Sequence, residues 1–145
     1  MRVQGVRRLH GCSFAPLPDR ITAATFACAC AAAGGRVELA GCAPRLYAPV
    51  LEILEQMGCG VVRRSDAAVI TRFGRLYGPG RVFTGAYPAL VIAALAAQGS
   101  SRITHTEFID RGYADFAQKL TALGGQIARE TPRGADCPKK RTSKT

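Results

Sequence analysis

The apolar positions of this chain fall into two patterns that alternate along its length. From Ile21 to Ala33 small apolar residues fill nearly every position, and the run stops at Gly34-Gly35. A helix that is apolar almost all round is a buried one, and glycine is the usual residue just past a helix end. A short alternating segment, Val37-Glu38-Leu39, reads as a strand. A second helix starts near Tyr47, closes at Gly58, and is followed by a strand over Gly60–Arg63. Pro49 fits only in the first turn of that helix, where its missing N–H costs nothing.

The same sentence is then written again. Arg36 to Val61 lies over Arg102 to Ile127 without a gap, at an offset of 66 residues. Arg36 meets Arg102, Arg45 meets Arg111, Tyr47 meets Tyr113, Leu54 meets Leu120 and Gly58 meets Gly124. Val50/Phe116, Met57/Leu123 and Val61/Ile127 keep their apolar character. Upstream, with a one-residue shift, the Ala-rich run ending at Gly99 matches the one ending at Gly34. The second copy therefore predicts a helix over Ala89–Ala97, a strand at Ile103-Thr104-His105, an amphipathic helix from Tyr113 and a strand over Gln126–Arg129. In that last helix Tyr113, Phe116, Ala117, Leu120 and Leu123 share one face at helical spacing.

The expected architecture is α/β, with two β-α-β-α-β repeats over about residues 14–72 and 79–131. Hairpin-like pieces at Ala68-Val69-Ile70 and Arg81-Val82-Phe83 would join them around Gly74–Gly80. The half-exposed second helices leave the apolar first helices to be buried between sheets. Residues 1–13 form a leading segment, and residues 132–145 read as a basic, disordered tail.

Composition narrows the chemistry. No apolar run reaches the roughly 18 residues needed to cross a bilayer, and no signal-peptide core follows Arg2, Arg7 and Arg8, so a cytoplasmic location without membrane contact is expected. The net charge is +10, of which +4 falls in the tail from Arg133 onward. That balance suits anionic partners such as phosphorylated metabolites. The arginines are scattered and lack interleaved aromatics, which argues against nucleic acid. The six cysteines, at 12, 28, 30, 42, 59 and 137, lack zinc-ligand spacing and read as free thiols packed as small hydrophobes. Cys12, in a loop-like segment, is the exception worth testing for reactivity.

Three passages carry a family resemblance. Leu17-Pro18-Asp19-Arg20-Ile21, followed by Ala24-Thr25-Phe26, is similar to the P-D-R-I-E-x-G-T-[FY] stretch of UDP-N-acetylglucosamine 1-carboxyvinyltransferases, which are enolpyruvyl transferases. Ile109-Asp110-Arg111-Gly112-Tyr113, continuing to Lys119-Leu120 and Leu123-Gly124, resembles their H-I-D-R-G-Y…K-L-x-x-L-G-A segment. Thr84-Gly85-Ala86-Tyr87-Pro88 is more weakly similar to an internal T-x-P-Y-P loop.

The resemblance implies a fold of inverse β-α-β-α-β repeats and a matching chemistry. Enolpyruvate would pass from phosphoenolpyruvate to the 3-hydroxyl of UDP-N-acetylglucosamine, a step of peptidoglycan synthesis that uses no cofactor and no metal. The shikimate-pathway enolpyruvyl transferase shares the fold, but its substrate motifs are not seen here. The motif positions make Arg111 and Asp110, then Arg20 and Asp19, the candidate substrate-binding residues. Asp110 is expected to cap a helix beginning near Gly112, which would put Arg111 at a helix N-terminus suited to phosphate or carboxylate. Asp19 would cap the first helix, a role that explains it as economically as substrate binding does. Arg45, the repeat partner of Arg111, is a weaker candidate, and His105 reads as a structural histidine.

The family is longer and two-lobed, so the chain reads as a truncated or degenerate C-terminal part, with a second chain as the expected source of the other lobe. The family's catalytic cysteine belongs to a loop not found here. Its base aspartate follows the T-x-P-Y-P loop, whereas no Asp or Glu occurs between Asp66 and Glu107. No catalytic residue is therefore assigned. Two further readings stay open: a non-catalytic module that binds anions or UDP-sugars, and a basic nucleic-acid-binding protein.

Overall fold

Helix α1 (Arg20–Ala33) begins where Asp19 stops the chain from fraying. The Asp19 carboxylate accepts from the backbone N–H of Ile21 at 2.9 Å and of Thr22 at 3.2 Å, satisfying donors that a helix start leaves unpaired. Ala23, Ala24, Ala27, Cys28, Cys30 and Ala31 are buried, so the helix is enclosed by close backbone approach rather than by bulky side chains. Its end needs Gly34, whose φ of 86° is left-handed. A Cβ there would also lie 3.1 Å from Nη2 of Arg72. That guanidinium donates to Ala32 C=O at 3.0 Å and to Gly74 C=O at 2.8 Å, clamping the helix end to the loop beyond the sheet. A cation at a helix C-terminus is also favoured by the macrodipole.

The computed structural model describes residues 2–85 and 87–130. Strand β1 (Gly35–Ala40) follows α1 at once, and a 3₁₀ turn (Pro44–Leu46) leads into α2 (Ala48–Gln56), with Pro49 in its first turn as expected. Strands β2 (Gly60–Arg63) and β3 (Ala67–Arg72) complete an antiparallel sheet of order β1-β3-β2. Val50, Leu51 and Leu54 of α2, with Tyr47 and Met57 at its ends, are fully buried with α1 and the inner face of β3. At about 25 cal/mol per Å² of apolar surface, this is the part of the molecule that holds the fold.

The second half begins with β4 (Arg81–Phe83), continues through α3 (Leu90–Ala96), and returns in β5 (Arg102–Thr104), parallel to β4. The two small-residue helices α1 and α3 pack against each other. Tyr87 ties the halves together by donating its hydroxyl to Leu46 C=O at 2.9 Å. Thr84, buried, donates from Oγ1 to Thr104 C=O at 3.2 Å and His105 C=O at 3.1 Å. His105 lies just past β5 with φ 61°, and its ring contacts that of Phe83 at a tilt of 58°, ring centroids 4.3 Å apart.

Four expectations need correction. Arg81–Phe83 does not form a hairpin piece but a parallel strand, because its partner lies beyond α3. The single helix expected from Tyr113 is two short ones, α4 (Glu107–Gly112) and α5 (Phe116–Ala122). Extended Tyr113 (φ −138°) and left-handed Asp115 (φ 53°) interrupt the helical run between them. Gln126–Arg129 forms no strand, for no neighbour among the described residues pairs with it. Ahead of α1, residues 2–19 form no strand or helix and are exposed, so the first repeat shows no leading strand. The basic tail lies outside the described residues.

Candidate functional site

The residues singled out by sequence fall into two separate places. At the first, Asp19, Thr22 and Phe26 of the α1 start face Glu38–Cys42 across an open groove of about 410 Å³. Besides its two backbone bonds, Asp19 accepts from the Thr22 hydroxyl at 2.6 Å. That hydroxyl first, then the Thr22 and Ile21 amides, hold its carboxyl below the usual range. Asp19 is thus a charged cap, with its oxygens committed to the helix. The groove is lined by two carboxylates, Asp19 and Glu38, and by no cation, and Glu38 is paired with Arg64 at 2.8 Å. Arg20 is exposed at the first position of α1, and among the described residues its guanidinium makes no hydrogen bond or ion pair.

At the second place, Asp110 and Arg111 lie within α4 rather than before a helix. The expected cap is corrected: α4 begins at Glu107, Asp110 falls in its first turn and Arg111 in its last. That order, acids early and base late, suits the helix dipole, but it takes Arg111 away from free N–H groups. The Arg111 guanidinium instead sits 5.2 Å from the centre of the Phe108 ring, a cation–π contact worth about 0.5–1 kcal/mol at an exposed site. Asp110 is ion-paired with Arg129, which no sequence signal marked. Arg45 is exposed in the 3₁₀ turn. No hydrogen bond or ion pair among the described residues links Asp19 or Arg20 to Asp110 or Arg111.

The buried groups add little chemistry. Cys28, Cys30, Cys42 and Cys59 are buried free thiols and Cys12 is an exposed one, while Cys137 lies outside the described residues. Burial, with the neighbouring Cys59 adding a smaller push, drives the Cys28 thiol up to about 12, far from a reactive thiolate. Tyr47 keeps a buried hydroxyl without a partner among the described residues, and burial pushes its pKa up. Sequence reasoning also missed Arg72, whose Nε is buried and unpaired among the described residues, while Nη2 donates to Ala32 C=O of α1 and Nη1 to Gly74 C=O. Among the described residues no group of three or more His, Cys, Asp or Glu could hold a metal ion, and no helix is long and apolar enough to cross a membrane.

Similarity to known proteins gives the context that the geometry lacks. Residues 1–80 match the family model described as EPSP synthase (3-phosphoshikimate 1-carboxyvinyltransferase). The chain is 36% identical over 134 residues to a UDP-N-acetylglucosamine 1-carboxyvinyltransferase of Afipia carboxidovorans, covering 87% of this chain and 31% of that protein. It is 37% identical over 134 residues to the Caulobacter sp. protein of that name, and 34% to one from Rhodopseudomonas palustris, with the same coverage. The chain thus spans about a third of the length of the curated relatives it matches. With more than half of its residues under one family model, this chain belongs to the EPSP synthase (3-phosphoshikimate 1-carboxyvinyltransferase) family of enolpyruvyl transferases.

Proposed function

We propose that this chain carries substrate-binding elements of a UDP-N-acetylglucosamine 1-carboxyvinyltransferase, with phosphoenolpyruvate and UDP-N-acetylglucosamine as its ligands in peptidoglycan synthesis. The observation that carries this reading is identity of 34–37% to enzymes of that name along 87% of the chain. The mixed α/β fold suits the family, and two repeats of inverse β-α-β-α-β type are part of this proposal. In this reading Arg111 and Arg20 are the cations for phosphate or carboxylate, Asp19 caps the helix that presents Arg20, and Asp110, paired with Arg129, lies beside Arg111. Carboxyvinyl transfer needs an acid for the vinyl carbon and a base for the sugar hydroxyl. The described residues offer neither in a groove with Arg111, so in this reading both groups come from outside the described residues, a second chain being one source.

Calorimetric titration of the full chain with UDP-N-acetylglucosamine, alone and with phosphoenolpyruvate, tests this. Binding is expected, and Arg111→Ala should weaken it by about 1.5–3 kcal/mol, the range for a charge-assisted hydrogen bond. Equal affinity in wild type and Arg111→Ala would contradict the assignment. Absence of binding to either ligand would contradict the function.

A further inference from the structure

Charge is balanced differently in the two sheets. In the first unit Arg63 and Arg64 are each matched by a carboxylate, Glu55 at 2.6 Å and Glu38 at 2.8 Å. Between Asp66 and Glu107, by contrast, the chain holds Arg72, Arg75, Arg81 and Arg102 and no Asp or Glu, a local charge of +4.

Parallel pairing gathers part of that charge. Strands β4 and β5 set Arg81 directly opposite Arg102, although α3 separates them in sequence. Neighbouring strands lie about 4.8 Å apart, and like charges facing each other across that gap destabilise a sheet. Arg102 reaches Glu130 at 2.9 Å, but both side chains are mostly exposed, so the pair is weak and open to exchange. Arg81 makes no ion pair among the described residues. Two guanidinia thus share one carboxylate.

Aromatic rings lie on the same face. Leu76 C=O accepts from Gln98 N–H at 2.7 Å, and Gly78 N–H donates to Gln98 C=O at 2.8 Å. Gly80 C=O accepts from Arg102 N–H at 2.6 Å, and Thr84 N–H donates to Thr104 C=O at 3.3 Å. Even positions from 76 to 84 therefore turn their backbone groups towards the β5 side, while Tyr77 N–H turns the other way, to Met57 C=O at 2.9 Å. With parity kept, Leu76 and Val82 are buried, and Tyr77, Arg81 and Phe83 share the outward face. Tyr77 and Phe83 are 55% and 58% exposed. Six residues apart, they are separated by at most about 20 Å. Both rings stand on backbone that is hydrogen-bonded in place, so they are presented without further ordering.

We propose that this outward face of β4 and β5 binds single-stranded nucleic acid. One base stacks on Phe83 and another on Tyr77, and Arg81 and Arg102 carry the intervening phosphates. Guanidinia suit phosphate by their forked geometry, and exposed rings suit unpaired bases, whose π-faces a duplex hides. The cations look scattered in the sequence because β4 and β5 meet only once the chain is folded. None of these residues belongs to the pairs Asp19–Arg20 or Asp110–Arg111, so the site is independent of the transferase reading.

Fluorescence anisotropy of the full chain with a labelled, uridine-only RNA of about 12 nucleotides, over a salt series, tests this. Binding is expected, with log K falling by about 0.7 per unit of log salt for each phosphate neutralised. Arg81→Ala should lower that slope by about 0.7. Phe83→Ala should weaken binding about fivefold or more at an unchanged slope, since it removes a ring and no charge, and Tyr77→Ala should do the same. Arg36→Ala, which removes an exposed cation from β1, should change neither quantity. No binding at low salt would overturn the proposal. So would binding that ignores Arg81→Ala, Phe83→Ala and Tyr77→Ala, which would assign it to cations elsewhere in the chain. Equal affinity for a duplex of the same length would overturn it in favour of a general polyanion patch. Displacement of the RNA by UDP-N-acetylglucosamine would also overturn it, by placing the RNA on the transferase ligand's site.

Discussion

Met57 and Leu123 hold the same position in the two copies of the sequence, yet Met57 is 1% exposed and Leu123 is 84% exposed. Tyr47 and Tyr113 differ in the same way, at 0% and 51%. Helix α2 lies over a three-stranded antiparallel sheet, whereas α5 buries no residue and, among the described residues, has only the β4–β5 pair in its half. The same apolar pattern therefore makes a core in one copy and an exposed stripe in the other. Periodicity states which face could be buried; the strands beneath decide whether it is.

This contrast can be pressed hardest at its own matched pair. Met57→Ala should cost about 2–5 kcal/mol, as for other large-to-small changes in a core. Leu123→Ala should stay within about 0.5 kcal/mol. Urea unfolding of both variants checks this, and similar losses would erase the contrast. Next in size comes the clamp at the end of α1. Gly34→Ala places a Cβ at left-handed φ and against Arg72, and a loss of about 1–2 kcal/mol is expected by the same measurement.

The cap at the other end of α1 should show in acid. The folded Asp19 carboxyl lies below its unfolded value, so its contribution is full above the unfolded pKa and disappears as pH falls through the folded one. Thermal midpoints against pH should show that slope in wild type and lose it in Asp19→Asn, which keeps a capping side chain. The smallest effect concerns the thiols. Cys28, raised to about 12, favours the folded state below the unfolded thiol pKa and loses that contribution as pH rises towards 12. At neutral pH a thiol reagent should label Cys12 in the native chain, and Cys28 only after unfolding, as peptide mapping would show.

Much of the first unit was legible because its signals are local. Asp19 caps α1, Gly34 ends it, Pro49 sits in the first turn of α2, and Ala68-Val69-Ile70 lies in a hairpin strand. What escaped depends on distant partners. The parallel pairing of β4 with β5 leaves no mark on either short segment. The Arg72 clamp spans from β3 to Ala32, and the Asp110–Arg129 pair joins α4 to a segment that had been expected to be a strand. At the candidate site the Asp19 cap was readable, but the break at Tyr113–Asp115, which moves Arg111 to the end of α4, was not.

The division of labour between a firmly packed first unit and a loosely packed second one bearing Arg111 meets its sharpest trial in native-state hydrogen exchange. The whole chain would be followed with and without UDP-N-acetylglucosamine plus phosphoenolpyruvate. Slowest exchange is expected in α1 and β3, fast exchange in α4 and α5, and ligand-dependent slowing around Arg111 and Arg20. Uniform protection across both units, or ligand-dependent slowing that spares Arg111 and Arg20, would contradict the account.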